Sequence, residues 1–146
     1  MLVLKLILLI PVLIVALDED EIDDCKDGEG YRTCTPSFPV HPNKKVTVTV
    51  RYNPTLNKLQ KIEVAEGGTT IITESLLDSG YPQLQVCKRP SGNHICLRYN
   101  RVNGRKGTDI CYIISTSGNT KFSSARCDRM TSSGLIYIPA GSNLPK

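Results

Sequence analysis

Apolar and polar side chains alternate over 45–52, where Val46, Val48, Val50 and Tyr52 interleave with Thr47, Thr49 and Arg51. A period of two marks a strand with one buried face. Asn53-Pro54 closes it, because proline has no N–H to give to a ladder. Ile62 and Val64 alternate with Lys61 and Glu63, and Gly67-Gly68 then turns the chain into TTIITESLL. These three segments predict a meander, with a short helical turn over Ser75 to Leu77 as an alternative ending. LQVCK, ICLRY, DICYIIS and GLIYIP supply four later strands. No stretch keeps apolar spacings of three and four over a dozen residues, as an amphipathic helix would. The pattern predicts an all-β chain, a small disulfide-stapled sandwich or open barrel of about seven short antiparallel strands joined by hairpins.

The first sixteen residues break this pattern. MLVLKLILLIPVLIVA holds 14 apolar side chains, with Lys5 near its start, Ala16 at its end and Ile14 two positions earlier. That is the plan of a secretory signal peptide over 1–16. A membrane anchor is the rival reading, but it needs about 20 apolar residues. Pro11 interrupts this run, and Asp18 and Glu19 close it. No second apolar stretch is long enough to span, so the mature chain is expected to carry no transmembrane segment. The other 130 residues hold 44 apolar ones, about 34%. A core that thin asks for covalent help.

Cys25, Cys34, Cys87, Cys96, Cys111 and Cys127 offer it. In an oxidising compartment, an even count in a small chain reads as a disulfide framework. A zinc site needs close pairs such as C-x2-C or histidine beside cysteine. The shortest gap here is eight residues and only His94 lies near a cysteine, so neither metal nor cofactor is expected. C25-KDGEGYRT-C34 and C87-KRPSGNHI-C96 each enclose eight residues and begin Cys-Lys. A hairpin turning at Ser91-Gly92 would set Cys87 opposite Cys96, Val86 opposite Leu97 and Leu84 opposite Tyr99. Directly opposed Cβ atoms sit roughly 4.5–5.5 Å apart and a disulfide wants about 3.5–4.5 Å, so the bridge asks for local adjustment. The same logic pairs Cys25 with Cys34 and leaves Cys111 for Cys127, one scheme among the 15 that six cysteines allow.

Charge is distributed unevenly. LDEDEIDD, residues 17–24, carries six acids and no base, and such a block is expected to be a disordered lead-in or pro-segment. From Cys25 to Lys146, the single β domain, 17 bases face 8 acids. That surplus draws anionic partners: an acidic extracellular protein, a sulfated glycan or membrane head groups. Nucleic acid ranks below these, because the six tyrosines alternate with aliphatic residues as core side chains do and form no stacking platform. Lys88, Arg89, Arg98, Arg101, Arg105 and Lys106 fall within nineteen residues with no acid between them. Arg grips sulfate, phosphate or carboxylate with a two-pronged fork, and Lys acts as a point charge. The loop NRVNGRKGT carries three of these bases, with Asn103-Gly104 as its turn signal.

The resulting expectation is a secreted, extracellular, toxin-like or salivary-type effector that works by binding through this basic hairpin surface. A serine-protease inhibitor is the alternative, with Arg105-Lys106 or Lys88-Arg89 as bait; Pro90 weakens the second. A small extracellular ribonuclease is third. Such an enzyme would draw on His41 and His94, Glu63 or Glu66, and Arg98, whose order follows no nuclease pattern. No G-x-S-x-G, H-E-x-x-H or phosphate-loop motif occurs. The sequence leaves the oligomeric state open.

Overall fold

The computed structural model describes residues 20–37, 45–77, 84–89, 94–116, 119–139 and 144–145. The leader over 1–16, His41, Pro90 and the Ser91-Gly92 turn lie outside these. Eleven strands run in order among the described residues: β1 (Asp20–Glu21), β2 (Asp24–Gly28), β3 (Tyr31–Thr35), β4 (Val46–Asn53), β5 (Lys58–Glu66), β6 (Thr69–Ser75), β7 (Leu84–Lys88), β8 (Ile95–Gly104), β9 (Gly107–Thr116), β10 (Asn119–Thr131) and β11 (Gly134–Ile138). The chain is all-β.

Alternation in β4 does what its period requires: Val46, Val48 and Val50 are buried while Thr47 and Thr49 are half-buried. Asn53 ends the strand with a side-chain cap, its Oδ1 accepting hydrogen bonds from the N–H groups of Thr55 and Leu56. Gly67 and Gly68 both adopt positive φ, 59° and 86°, in the two-residue turn between β5 and β6. Side chains there would be strained, and this pair of positive φ values is the geometry that tight hairpins favour. The run after Thr69 stays extended to Ser75, and Leu76 continues without a helical turn, its N–H donating to the Gln60 carbonyl.

Two sheets result. One holds five strands in the order β2-β3-β4-β5-β6, all antiparallel. The other holds six, in the order β1-β10-β9-β8-β7, with β11 also on β10. Every pairing in it is antiparallel except that of β1, which lies parallel to β10. One core joins the two sheets, taking Val48, Val50, Ile62, Val64 and Ile72 from the first and Leu97, Tyr99, Ile110, Tyr112 and Ile114 from the second.

Four strands go beyond the seven legible in the pattern: β1, β2, β3 and β10. The first is unexpected, because it lies within the acidic lead-in. Asp20 and Glu21 pair with Ser124 and Ala125, and Ile22 sinks to 2% exposure. Residues 20–24 therefore enter the fold where the charge pattern gave a disordered segment. Burial of one isoleucine and backbone pairing hold them there against the repulsion of their neighbours.

Each disulfide joins residues directly opposed on adjacent strands: Cys25–Cys34 across β2 and β3, Cys87–Cys96 across β7 and β8, and Cys111–Cys127 across β9 and β10. Their Cα separations of 4.0–4.1 Å fall at the close end for opposed residues, as in pairs that exchange no backbone hydrogen bonds. The nearest-neighbour scheme is the one adopted. Val86 faces Leu97 and Leu84 faces Tyr99, as the expected register requires.

Candidate anion-binding ribbon

Strands β7, β8 and β9 form one antiparallel ribbon that carries all six bases singled out from the sequence. Arg105 and Lys106 stand exposed at the β8–β9 turn, between the paired residues Gly104 and Gly107. The turn lies two residues beyond the Asn103-Gly104 signal; Asn103 instead pairs with Thr108, next to the last pair of the ladder. Gly107 decides this. Its φ is +139°, and a Cβ there would run into the Met130 carbonyl of β10. Ten consecutive pairs, from Ile95 with Thr116 to Gly104 with Gly107, hold the tip rigidly on the sheet.

Lys88 and Arg89 are exposed at the other end of the ribbon, beside the exposed Cys87. Arg98 is half-buried opposite Gln85 and Ile113. It lies between Leu97 and Tyr99, both in the core, so it points to the outer face. Arg101 has the opposite parity. It is half-buried and donates to the Leu76 carbonyl just after β6, tying the two sheets together. The ribbon therefore does not gather six equivalent bases. Nine residues of β8 separate the two charged ends, roughly 30 Å at a strand's rise, with Arg98 about a third of the way along.

Elsewhere the arginines are paired, whereas Lys26, Lys45 and Lys58 are exposed without an ion-pair partner among the described residues. Arg51 pairs with Glu63, and Arg129 with Asp109. Arg32 binds both Asp27 and Asp128, and Arg126 binds Asp128 as well. Among the described residues, Lys88, Arg89, Arg98, Arg105 and Lys106 have no ion-pair partner. The ribbon thus holds five of the eight bases that lack an ion pair among the described residues.

The strand that the alternation missed carries a second polar cluster, between the sheets. Ser124, Arg126 and Asp128 of β10 face the core beside Ile114, Tyr112 and Ile110. Asp128 is 1% exposed and accepts from Arg126 Nε and from Arg32 Nη1 of the opposite sheet. Arg126 also donates to the Ile22 carbonyl at 2.7 Å, and Arg32 to that of Leu135 at 3.0 Å. The Arg126 guanidinium lies 4.9 Å from the ring centre of Tyr137, whose hydroxyl donates to Glu21 at 2.6 Å. The hydrogen bond from Arg32 holds the Asp27 carboxyl below its usual range, and the one to Asp27 raises the guanidinium above its own. Burial raises the Tyr112 hydroxyl, and the bond to Glu21 raises that of Tyr137. Every charge in this cluster is matched, so it fastens β1, β3, β10 and β11 together and leaves no charge for a ligand. Sequence reasoning missed it because acids and bases at alternate positions read as a solvated strand.

The residues a nuclease would use are not brought together. Glu63 sits on the outer face of the first sheet in its pair with Arg51, Arg98 sits on the outer face of the second, and Glu66 is buried at 4% exposure. His94 is half-buried at the start of β8. A polar cleft of about 430 Å³ lies by Glu29, Arg51, Tyr52, Asn53 and Gln60, at the hairpin ends of the first sheet. Arg51 and the Asn53 oxygen are already occupied within the fold. Among the described residues, no cluster of three or more His, Cys, Asp or Glu side chains could hold a metal, and no helix is long and apolar enough to cross a membrane. No protein family, no curated protein and no solved structure matches the chain.

Proposed function

We propose that the chain is a secreted, disulfide-stabilised binding protein that recognises an anionic extracellular partner through the β7–β9 ribbon, and that it acts by binding, not catalysis. The observation that carries this reading is the partition of charge. Arginines elsewhere are matched by carboxylates, whereas Lys88, Arg89, Arg98, Arg105 and Lys106 have no such partner among the described residues and four of them are exposed. Three disulfides suit an oxidising, extracellular setting. A ribbon with bases at both ends favours an extended polyanion, such as a sulfated glycan, over a compact ligand. Arg101 serves the fold in this reading, through its bond to the Leu76 carbonyl.

The protease-inhibitor reading has less support. A bait segment has to lie extended in a protease cleft, whereas Arg105 and Lys106 occupy the corner of a tight turn.

Heparin chromatography tests the proposal. Replacing Arg105 and Lys106 by Ala, or Lys88 and Arg89 by Ala, should lower the salt needed for elution. Each exposed base contributes roughly 0.5–1 kcal/mol, so a pair amounts to about five- to thirtyfold in affinity at low salt. Arg101→Ala should lower the melting temperature with little change in elution. Unchanged retention in both double variants would overturn the assignment.

A further inference from the structure

We propose that the open edge of β7 accepts an extended acidic strand from a partner protein, as a seventh strand of the larger sheet. This rests on the reading of the ribbon as an anion-binding surface and names the form in which one anionic partner docks.

β7 ends the strand order of its sheet, and among the described residues no strand pairs with its far side. The Cys87–Cys96 pair shows where its backbone groups point. In an antiparallel ladder, opposed Cα atoms as close as 4.1 Å mark a pair that exchanges no hydrogen bonds. The N–H and C=O of Cys87 are therefore directed away from β8, and a period of two gives Gln85 the same orientation. Gln85, Cys87, Lys88 and Arg89 are all exposed. This edge thus offers two donors and two acceptors to an incoming strand, and main-chain bonding of this kind is how extended peptides add to sheets.

The disulfide clamps β7 to β8, so the edge is ordered before anything binds and less entropy is lost on docking. Charge chooses the occupant. Arg98 stands opposite Gln85 on the next strand and Arg89 follows the end of β7, whereas Lys88, opposite Ile95, shares the face of Val86. The open edge of β2 differs, because it carries Asp24 and Asp27. The bases of β7 also oppose pairing with another copy of itself, since like charges on adjacent strands repel. Alternation sets the pattern the guest needs: acidic side chains on the Arg98 face and apolar ones over the half-buried Val86.

The test uses the native protein and a capped Val-Glu-Val-Glu-Val-Glu-Val peptide. Fluorescence anisotropy should show binding that weakens about tenfold when alternate peptide nitrogens are methylated, because two main-chain bonds are lost. It should also disappear when Lys replaces Glu. Amide exchange at Gln85 and Cys87 should slow about tenfold on saturation, and the Arg89→Glu, Arg98→Glu double variant should lose the peptide. If the peptide binds while those two amides exchange as before, contact is by charge alone; the edge inference then falls and the anion-binding reading stands. Absence of peptide binding with heparin retention intact likewise removes the edge inference and spares the anion-binding reading. Loss of both overturns both. A dimer in sedimentation, with Gln85 and Cys87 protected before peptide is added, would make a second copy the occupant and reject the acidic partner.

Discussion

Asp128 is the buried acid on the inner face of β10. It is 1% exposed and meets two guanidinium groups, from Arg126 on its own strand and Arg32 on the opposite sheet. Forming such a cluster gains little over an apolar packing, but removing one member strands a buried charge. Asp128→Ala should cost about 3–5 kcal/mol in denaturant unfolding for this reason. Tyr112 presents the opposite case. Its side chain is fully buried and its hydroxyl has no hydrogen-bond partner among the described residues. Tyr112→Phe removes a desolvated polar group without opening a large cavity, so it should leave stability unchanged or raise it by about 1 kcal/mol. Asp27 gives a pH signature. Its carboxyl is held below the ordinary range by the hydrogen bond from Arg32, so its contribution is present above the unfolded-state pKa and is lost as pH falls through the lowered value. Asp27→Asn should flatten the acid limb of the stability curve and leave the neutral region nearly parallel to wild type.

At the scale of elements, β1 shows how little chain can fasten a segment to a sheet. Two residues pair with β10, Ile22 fills the core, and its carbonyl accepts from Arg126. Ile22→Ala should lower stability by about 2–4 kcal/mol and raise proteolysis ahead of Cys25, since both anchor points weaken together. Tyr137 adds a pH-dependent hold. The hydrogen bond to Glu21 favours the neutral hydroxyl, so this contribution stands below the ordinary tyrosine range and is lost as pH rises above it. A fall in the protection factor of the Ile22 amide, its exchange rate taken relative to the intrinsic base-catalysed rate, as pH rises, absent in Tyr137→Phe, would report it. The β7–β9 ribbon carries five bases without an ion-pair partner among the described residues. Its ends were readable as charge, but their separation along β8 was not.

Across the whole molecule, alternation was legible where a strand's polar face meets solvent, whereas β9, buried on both faces, showed as a continuous apolar run. Val46 to Val50 in β4 and Ile62 to Val64 in β5 alternate because one side of their sheet is wet. The later strand β10 was not visible, because its inner face takes Ser124, Arg126 and Asp128 while Ala125 and Cys127 fill the other. A buried polar position looks like a solvated one until its partner is known. The partner of Asp128 on the other sheet lies 96 residues earlier, at Arg32.

By itself the sequence determined the all-β class, the turns that end β4 and β5 and the positive surplus of the body. All of these follow from local spacing and from counting. The pairing of nearest cysteines stayed one scheme among 15 until the strand register chose it. Tertiary structure alone decided that Arg101 faces inward, that Ile22 draws the acidic segment into the core, and which bases find carboxylates. A side chain's fate there depends on the sheet face it occupies and on what the other sheet places opposite, and short-range pattern holds neither.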